Sequence, residues 1–206
     1  MEFDAILTEV IVQRDHDDDS LNHPKSPGRR RFLTAAGTGL AAGLVAPAAF
    51  AKVHPRAHER SLAFYNLHTG ERLKATYFAD NQYQRGSLKE INHLLRDFRT
   101  GQVHPIDEQL LDLLYVLRHR LDTQRPFHVI SGFRSPKTNA MLRARSREVA
   151  RRSLHMDGMA IDIRVPGRDL KTLHRAALGL RAGGVGYYPH SNFVHVDVGR
   201  VRHWSG

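Results

Sequence analysis

Two histidines and an aspartate have the spacing of a metal-binding set. His155 and Asp162 lie within residues 153–162, and His195 follows in Phe-Val-His-Val-Asp at residues 193–197. Two imidazoles and one carboxylate suit zinc, and three protein ligands leave a fourth coordination position for water. An open zinc site supplies hydroxide near neutral pH and polarises a carbonyl group. These residues therefore predict a metallohydrolase.

The expected secondary structure can bring the three side chains together. Because side chains alternate along a strand, His195 and Asp197 share one face of the last strand, and we expect Asp162 on a neighbouring strand. His155 precedes that strand in a loop, and Gly158 lets the loop turn back. Taken singly, each is more simply an ordinary polar residue near a turn. Together they favour convergence on one ion.

The surrounding pattern predicts an α+β domain in which helices flank an antiparallel sheet. A hairpin is expected around His68-Thr69-Gly70-Glu71, and a capping box of Ser87 and Glu90 is expected to open the first helix. The remaining expected elements, in chain order, are a buried helix at 107–121, a strand at 127–130, a basic helix at 136–145, a strand at 159–165, a helix at 168–180, and strands at 185–188 and 193–198.

The N-terminal region predicts export. Residues 1–28 are polar and lack apolar periodicity, which indicates a disordered leader or a mis-assigned start site. Residues 29–51 resemble a twin-arginine (Tat) signal, in which arginines and Phe-Leu precede an Ala/Gly/Leu run that ends in Ala49-Phe50-Ala51. We expect the Tat machinery as a partner, a catalytic domain at 52–206, and a periplasmic product with no stable membrane span. The alternative is an uncut N-terminal anchor.

The charge and composition narrow the partners. The chain of 206 residues has a formal net charge of +10, which points to a polyanionic partner. The export signal favours the cell wall over nucleic acid, and no nucleic-acid recognition motif is recognisable. The sequence contains no cysteine, so its stability must come from the core and from the predicted metal.

The metal-binding segments also carry a family resemblance. Ser-x-His-x-x-Gly-x-Ala-x-Asp at 153–162, with residues 193–197, resembles the LAS metallopeptidases, the group of the VanX- and VanY-type D-Ala-D-Ala peptidases. Residues 131–135 and 183–188 are similar to its YcbK/MepK branch of exported murein endopeptidases. The resemblance extends from about residue 60 to the C-terminus. It implies a small LAS-type domain with His155, Asp162 and His195 as Zn²⁺ ligands on or beside the sheet.

The resemblance assigns Arg134 a role but leaves the general base open. Arg134 matches the arginine of the family's Ser-x-x-Arg-Ser motif, where a guanidinium holds a substrate carboxylate or an oxyanion; the alternative is a surface arginine at a turn. At the two positions where members of the family carry the general base, this sequence has Asn192 and Phe193, whose side chains cannot take up a proton at a useful pH. His190 and Asp197 are therefore the two candidate bases, and Asp197 could instead fix the His195 imidazole.

The function implied by this resemblance is that of a zinc-dependent murein endopeptidase, which hydrolyses the peptide cross-links of peptidoglycan. One alternative is a D,D- or L,D-carboxypeptidase acting on stem peptides. Another is a non-catalytic, zinc-containing module that binds the cell wall. The arginine-rich stretch at 143–152 is either a solvated basic face or a dock for stem-peptide carboxylates or anionic glycan. Ser153 is expected to hold its loop by a side-chain hydrogen bond.

Overall fold

One mixed sheet organises the part of the chain that the computed structural model describes, residues 58–146 and 149–206. The strands are β1 Arg60–Asn66, β2 Arg72–Ala79, β3 Gln82–Tyr83, β4 Phe127–Ser131, β5 Ala160–Arg164, β6 Gly184–Tyr188, β7 Phe193–Asp197 and β8 Arg202–Ser205. The helices are α1 Arg85–Leu94, α2 Glu108–Arg120, α3 Pro136–Arg145 and α4 Leu170–Leu180. The α+β class is confirmed. The predictions for residues 1–51, and Arg147 of the basic stretch, lie outside the described residues.

The sheet has the strand order β3-β2-β1-β4-β5-β7-β6-β8. Most neighbouring strands pair antiparallel, as expected, but β1 with β4 and β6 with β8 pair parallel. A parallel pair requires the chain to cross from one end of the sheet to the other, and the intervening α1 and α2 provide that crossing for β4. Local patterns of side chains do not reveal such a long connection.

The helices begin close to where the sequence places them. Asp107 caps α2, because its carboxylate accepts a hydrogen bond from the Gln109 N–H at 2.8 Å. Ser135 caps α3 in the same way through the Thr138 N–H at 3.2 Å. The predicted Ser87–Glu90 capping box is wrong: the N-cap of α1 is Gln84, three residues before Ser87, and Gln84 makes no side-chain cap hydrogen bond.

The apolar side of α2 forms the centre of the core. Leu110, Leu111, Leu114 and Leu117 are fully buried, together with strand residues such as Phe64. This burial fixes α2 against the sheet and supplies most of the driving force that such a helix needs to fold. No helix of the described part of the chain has the length and apolar character to span a membrane.

A buried ionic cluster joins the N-terminal hairpin to α2. Asp112 on α2 is fully buried and forms an ion pair with Arg60 of β1. The Tyr77 and Tyr83 hydroxyls each donate to Asp112 at 2.9 Å. Burial, together with the nearby carboxylate, raises the pKa of Tyr83 to about 12, so both phenols remain donors. Every oxygen of this carboxylate therefore faces donors. We call Arg60, Tyr77, Tyr83 and Asp112 the Asp112 cluster.

Candidate metal centre

The register of two neighbouring strands sets the first two predicted ligands side by side. Asp162 on β5 lies directly opposite His195 on β7 in the antiparallel ladder. Residues directly opposite each other in such a ladder have side chains on the same face. The backbone pairing alone therefore brings the carboxylate and the imidazole together.

The third ligand reaches the same point from a short helical turn. His155 lies in the 3₁₀ helix Leu154–Asp157, which ends at Gly158 with φ at 69°. A Cβ atom at Gly158 would collide with the Pro105 carbonyl oxygen. Glycine is required here both by the left-handed backbone and by this close approach, so the expected turn at Gly158 is confirmed.

The three side chains converge and are buried. The His155 Nε2 atom lies 3.2 Å from Asp162 Oδ1 and 3.2 Å from His195 Nδ1, and His195 Nδ1 lies 2.9 Å from Asp162 Oδ1. These atoms form the group of His, Cys, Asp and Glu side chains that could hold a metal among the described residues. Ligand atoms around a tetrahedral zinc ion lie about 3.3 Å from one another, so the observed triangle has a suitable size.

The outer partners of the two imidazoles fix which nitrogen carries the proton. His155 Nδ1 lies 2.8 Å from the Gly132 carbonyl oxygen, which can only accept, so Nδ1 donates. His195 Nε2 likewise donates to Asp197 Oδ2 at 3.0 Å. In the neutral rings the remaining nitrogens then point lone pairs at Asp162 Oδ1. Three acceptors facing one another need a proton or a metal cation between them, and a divalent metal fits this donor set.

The electrostatics of the group agree with this assignment. Burial lowers the pKa of His155, which favours the neutral ring that a metal needs. Burial opposes the ionisation of Asp162, but the two neighbouring histidines outweigh it and hold the pKa of this carboxyl well below its usual range. For His195, burial is likewise outweighed: hydrogen bonds to Asp162 and Asp197 raise its pKa to about 8. A proton at this position is what a metal ion would displace.

Asp197 lies behind His195 and is saturated with donors. Besides His195, its carboxylate accepts hydrogen bonds from the Gly184 N–H and the Gly199 N–H, each at 2.9 Å, and from both terminal nitrogens of Arg202, at 3.0 and 2.7 Å. A side chain at Gly184 would collide with the carboxylate and with Arg202. The expected shared face of His195 and Asp197 is confirmed, and Asp197 contacts the imidazole nitrogen that faces away from Asp162.

Arg134 borders the metal-binding group. Its Nη2 atom lies 3.5 Å from Asp162 Oδ2 and 3.3 Å from the Ser131 hydroxyl, and its backbone N–H donates to the His155 carbonyl at 3.0 Å. The Nε atom is buried and has no hydrogen-bond partner among the described residues. Burial lowers the pKa of this guanidinium, but it remains charged at any physiological pH. Arg134 is therefore a half-buried cation beside the three candidate ligands.

The segment that carries Arg134 is anchored by a second carboxylate. Asp97 is buried, and its Oδ2 atom accepts the Ser135 N–H at 2.9 Å. Burial alone would raise the pKa of Asp97, but hydrogen bonds from Ser135, Thr138 and the Arg99 N–H lower it to about 2. Asp97 therefore stays ionised and holds the turn before α3 in place.

His190 and Ser153 differ in whether they line the cavity at the three candidate ligands. His190 is exposed on the turn between β6 and β7 and does not line the cavity at the three ligands. Ser153 does line that cavity, but its side chain makes no cap hydrogen bond to the 3₁₀ helix, contrary to expectation. The carbonyl of Ser153, rather than its hydroxyl, holds the turn by accepting the Met156 N–H at 2.9 Å.

A cavity of about 320 Å³ opens onto the three ligands and Arg134. Its wall includes Trp204 and Tyr188, which are joined by a hydrogen bond of 2.8 Å from the indole N–H to the phenol oxygen. The Trp204 ring also lies 5.2 Å from the His195 ring. Trp204 and Arg202 were not among the residues predicted for the site, because the short strand β8 that carries both was not recognised in the sequence.

Comparisons with known proteins give one consistent result. Residues 54–204 match a family described as peptidoglycan L,D-endopeptidase MepK. The chain is 47% identical over 177 residues to the peptidoglycan L,D-endopeptidase MepK of Escherichia coli strain K12, covering 85% of this chain and 96% of the relative. It is 41% identical over 180 residues to the probable peptidoglycan L,D-endopeptidase MepK of Haemophilus influenzae, covering 86% of this chain and 96% of that relative.

Proposed function

The chain belongs to the peptidoglycan L,D-endopeptidase MepK family, and we propose that it is a zinc-dependent peptidase that hydrolyses peptide cross-links in the cell wall. The observation that carries the proposal is the convergence of three acceptor atoms, from His155, Asp162 and His195, at the floor of a cavity. The names of the relatives support the L,D cross-link as the bond that is cleaved.

The residues of the cavity take distinct roles in this proposal. His155, Asp162 and His195 hold the zinc ion, which when bound supplies Lewis acidity toward the scissile carbonyl and toward the attacking water. Arg134 stabilises the negative charge that develops on the carbonyl oxygen, because its guanidinium lines the cavity and is fixed beside Asp162. Its position in a partly buried, low-dielectric wall strengthens that interaction.

Asp197 acts as a positioning residue. Its carboxylate accepts the His195 Nε2–H and thereby keeps the opposite nitrogen free to bind metal. The donors that surround both of its oxygens favour this role over proton transfer. His190 remains the proposed general base; its place on an exposed turn beyond the cavity wall requires the turn or a water molecule to bridge the gap.

An open catalytic site is favoured over a structural zinc site. Structural zinc ions usually have four protein ligands, whereas the described residues supply three, and Asp197 contacts the outer side of His195. We further propose that the Tat-type segment at 29–51 directs the domain to the periplasm, where its substrate lies.

Digestion of purified cross-linked sacculi, with identification of the released muropeptides, tests this function. We expect cleaved cross-links from the zinc-loaded protein, no cleavage after chelation, recovery on adding zinc, and no cleavage by His155→Ala. Loss of only the terminal residue from stem peptides would instead identify a carboxypeptidase. Binding to sacculi without any product at any zinc concentration would identify a wall-binding module.

A further inference from the structure

The charged side chains that line the cavity differ in whether they have a partner of opposite charge. Of the arginines in the wall, Arg202 is paired with Asp197 at 2.7 Å, and Arg134 faces Asp162 at 3.5 Å. Asp162 is the one carboxylate of the described wall, and it belongs to the metal-binding group. Because a divalent ion would more than cancel that carboxylate, the loaded cavity is strongly positive. Such a cavity attracts an anionic substrate.

Arg152 is the cation that this wall leaves free. It lines the cavity, is exposed, and makes neither a hydrogen bond nor an ion pair with any side chain in the described part of the molecule. It lies three residues before His155 on the same segment. The neighbouring Arg151 is also exposed but does not line the cavity.

The backbone on both sides of Arg152 is held in place. The buried Asn139 side chain of α3 donates to the carbonyl oxygens of Ala150 at 3.1 Å and Arg151 at 3.4 Å. On the other side, Ser153 is buried and its carbonyl accepts the Met156 N–H. The guanidinium is therefore a flexible head on a fixed attachment point at the cavity, an arrangement that suits recognition of a substrate group.

We propose that Arg152 binds a free carboxylate of the stem peptide beside the scissile bond and so selects the substrate. The proposal rests on the proposed peptidase function, because it assumes that the peptide lies in the cavity. A guanidinium forms paired, charge-assisted hydrogen bonds with a carboxylate. The aromatic residues Tyr188, Phe193 and Trp204 of the same wall offer apolar surface to the aliphatic part of such a peptide. A peptide carboxylate is favoured over anionic glycan because Arg152 lines the same cavity as the metal ligands.

The test uses two synthetic cross-linked peptides that differ only in this group: a free carboxylate next to the scissile bond in one, and a carboxamide in the other. We expect the wild-type protein to prefer the carboxylate by about 10- to 100-fold in kcat/KM. Arg152→Ala should cleave the carboxamide at the wild-type rate and lose the preference. Arg152→Lys should keep part of it, since it retains the charge but not the planar fork.

Arg151→Ala is the matched control, because it removes the same charge from the adjacent residue. It should keep the full preference. Circular dichroism should show that all variants are folded, and metal analysis should show the same zinc content in each. An equal loss in Arg151→Ala would mean general electrostatic attraction, and an equal loss of both peptides in Arg152→Ala would mean a structural role. Weaker binding to sacculi with unchanged peptide cleavage would point to glycan. Each result would overturn the proposal.

Calorimetry separates this proposal from the proposed function. If the wild-type protein cleaves neither peptide, the peptidase function fails, but the affinities of the zinc-loaded protein for the two peptides still test Arg152. We then expect about 10- to 100-fold tighter binding of the carboxylate peptide in wild type and equal binding of both in Arg152→Ala. Equal affinities in the wild-type protein would refute the role of Arg152.

Discussion

Two buried carboxylates of this domain have opposite surroundings. Asp112 accepts from Arg60, Tyr77 and Tyr83, so its charge and its lone pairs are matched within the chain. Asp162 instead faces lone-pair nitrogens of His155 and His195, whose protons point outward to Gly132 and Asp197. Burial does not distinguish these two aspartates. The balance of donors and acceptors does: Asp112 is matched by donors within the chain, whereas Asp162 belongs to a group that could hold a metal ion.

The largest effect is expected when one of the three candidate metal ligands is replaced. Asp162→Ala removes the negatively charged ligand, so we expect loss of zinc and a fall in cross-link cleavage of roughly 1000-fold or more. Metal analysis of the dialysed protein and sacculus digestion measure the two effects. The fold should persist, because the pairing of β5 with β7 does not depend on this side chain. Retention of stoichiometric zinc would contradict the assignment of Asp162.

A substitution in the Asp112 cluster should lower the stability of the protein and leave its activity unchanged. Asp112→Ala leaves Arg60 buried without a counter-charge, and we expect a loss of about 3–5 kcal/mol in the free energy of unfolding. Denaturant titration measures this loss. The kcat of the remaining folded protein and its zinc content should match wild type. The double replacement Arg60→Met with Asp112→Leu should recover much of the stability, because no buried charge then remains. A large change in kcat would break the distinction between the two aspartates.

A smaller effect is expected one contact away from the metal-binding group. Asp197→Asn keeps the shape of the residue but weakens the acceptor that fixes the His195 tautomer, so zinc affinity should fall by about 10- to 100-fold. Competition with a chromophoric chelator measures this change. At saturating zinc, kcat should largely recover if Asp197 only positions the imidazole. A persistent loss of about 100-fold with zinc fully bound would instead identify Asp197 as the general base.

The smallest effect is expected at Asp97. This buried carboxylate accepts hydrogen bonds from within the chain and belongs neither to the Asp112 cluster nor to the group of three candidate metal ligands. Its folded pKa of about 2 lies below the unfolded value of about 3.9, so its stabilising contribution is present above pH 4 and is lost as the pH falls toward 2. We expect wild type to exceed Asp97→Asn by about 2 kcal/mol at pH 5 and the gap to narrow between pH 4 and pH 2. Denaturant unfolding of the metal-free proteins at several pH values measures it. A gap that does not change with pH would show that the charge of Asp97 is irrelevant.

Local patterns in the sequence were enough to predict the elements that carry the site. The hairpin, the capped helices α2 and α3, and the strands β5 and β7 each follow from periodicity, a capping side chain or a glycine-containing turn. The three candidate metal-binding residues were predicted from residue type and spacing and from the family resemblance, although Asp162 and His195 are 33 residues apart in the sequence. The structure brings the three together within hydrogen-bonding distance.

Features that depend on distant parts of the chain were not predictable in this way. The strand β8 has only four residues and forms by parallel pairing with β6, so Trp204 and Arg202 gave no sign of their place near His195. The free state of Arg152 depends equally on what its neighbours in space are bound to. The identity of the general base remains a prediction, since it depends on how a bound peptide meets the turn that carries His190.

The ladder that opposes Asp162 to His195 also bears on how the metal enters and leaves. Four successive residue pairs of β5 and β7 hold these two ligands, and the carbonyl of Gly132 holds the ring of His155. A metal ion at this site would therefore enter a scaffold already built by backbone pairing, unlike the ion of a zinc finger, which the peptide needs in order to fold. Cobalt(II) could then be loaded into the native protein without refolding, and its visible absorption would report on the ligands that surround the ion.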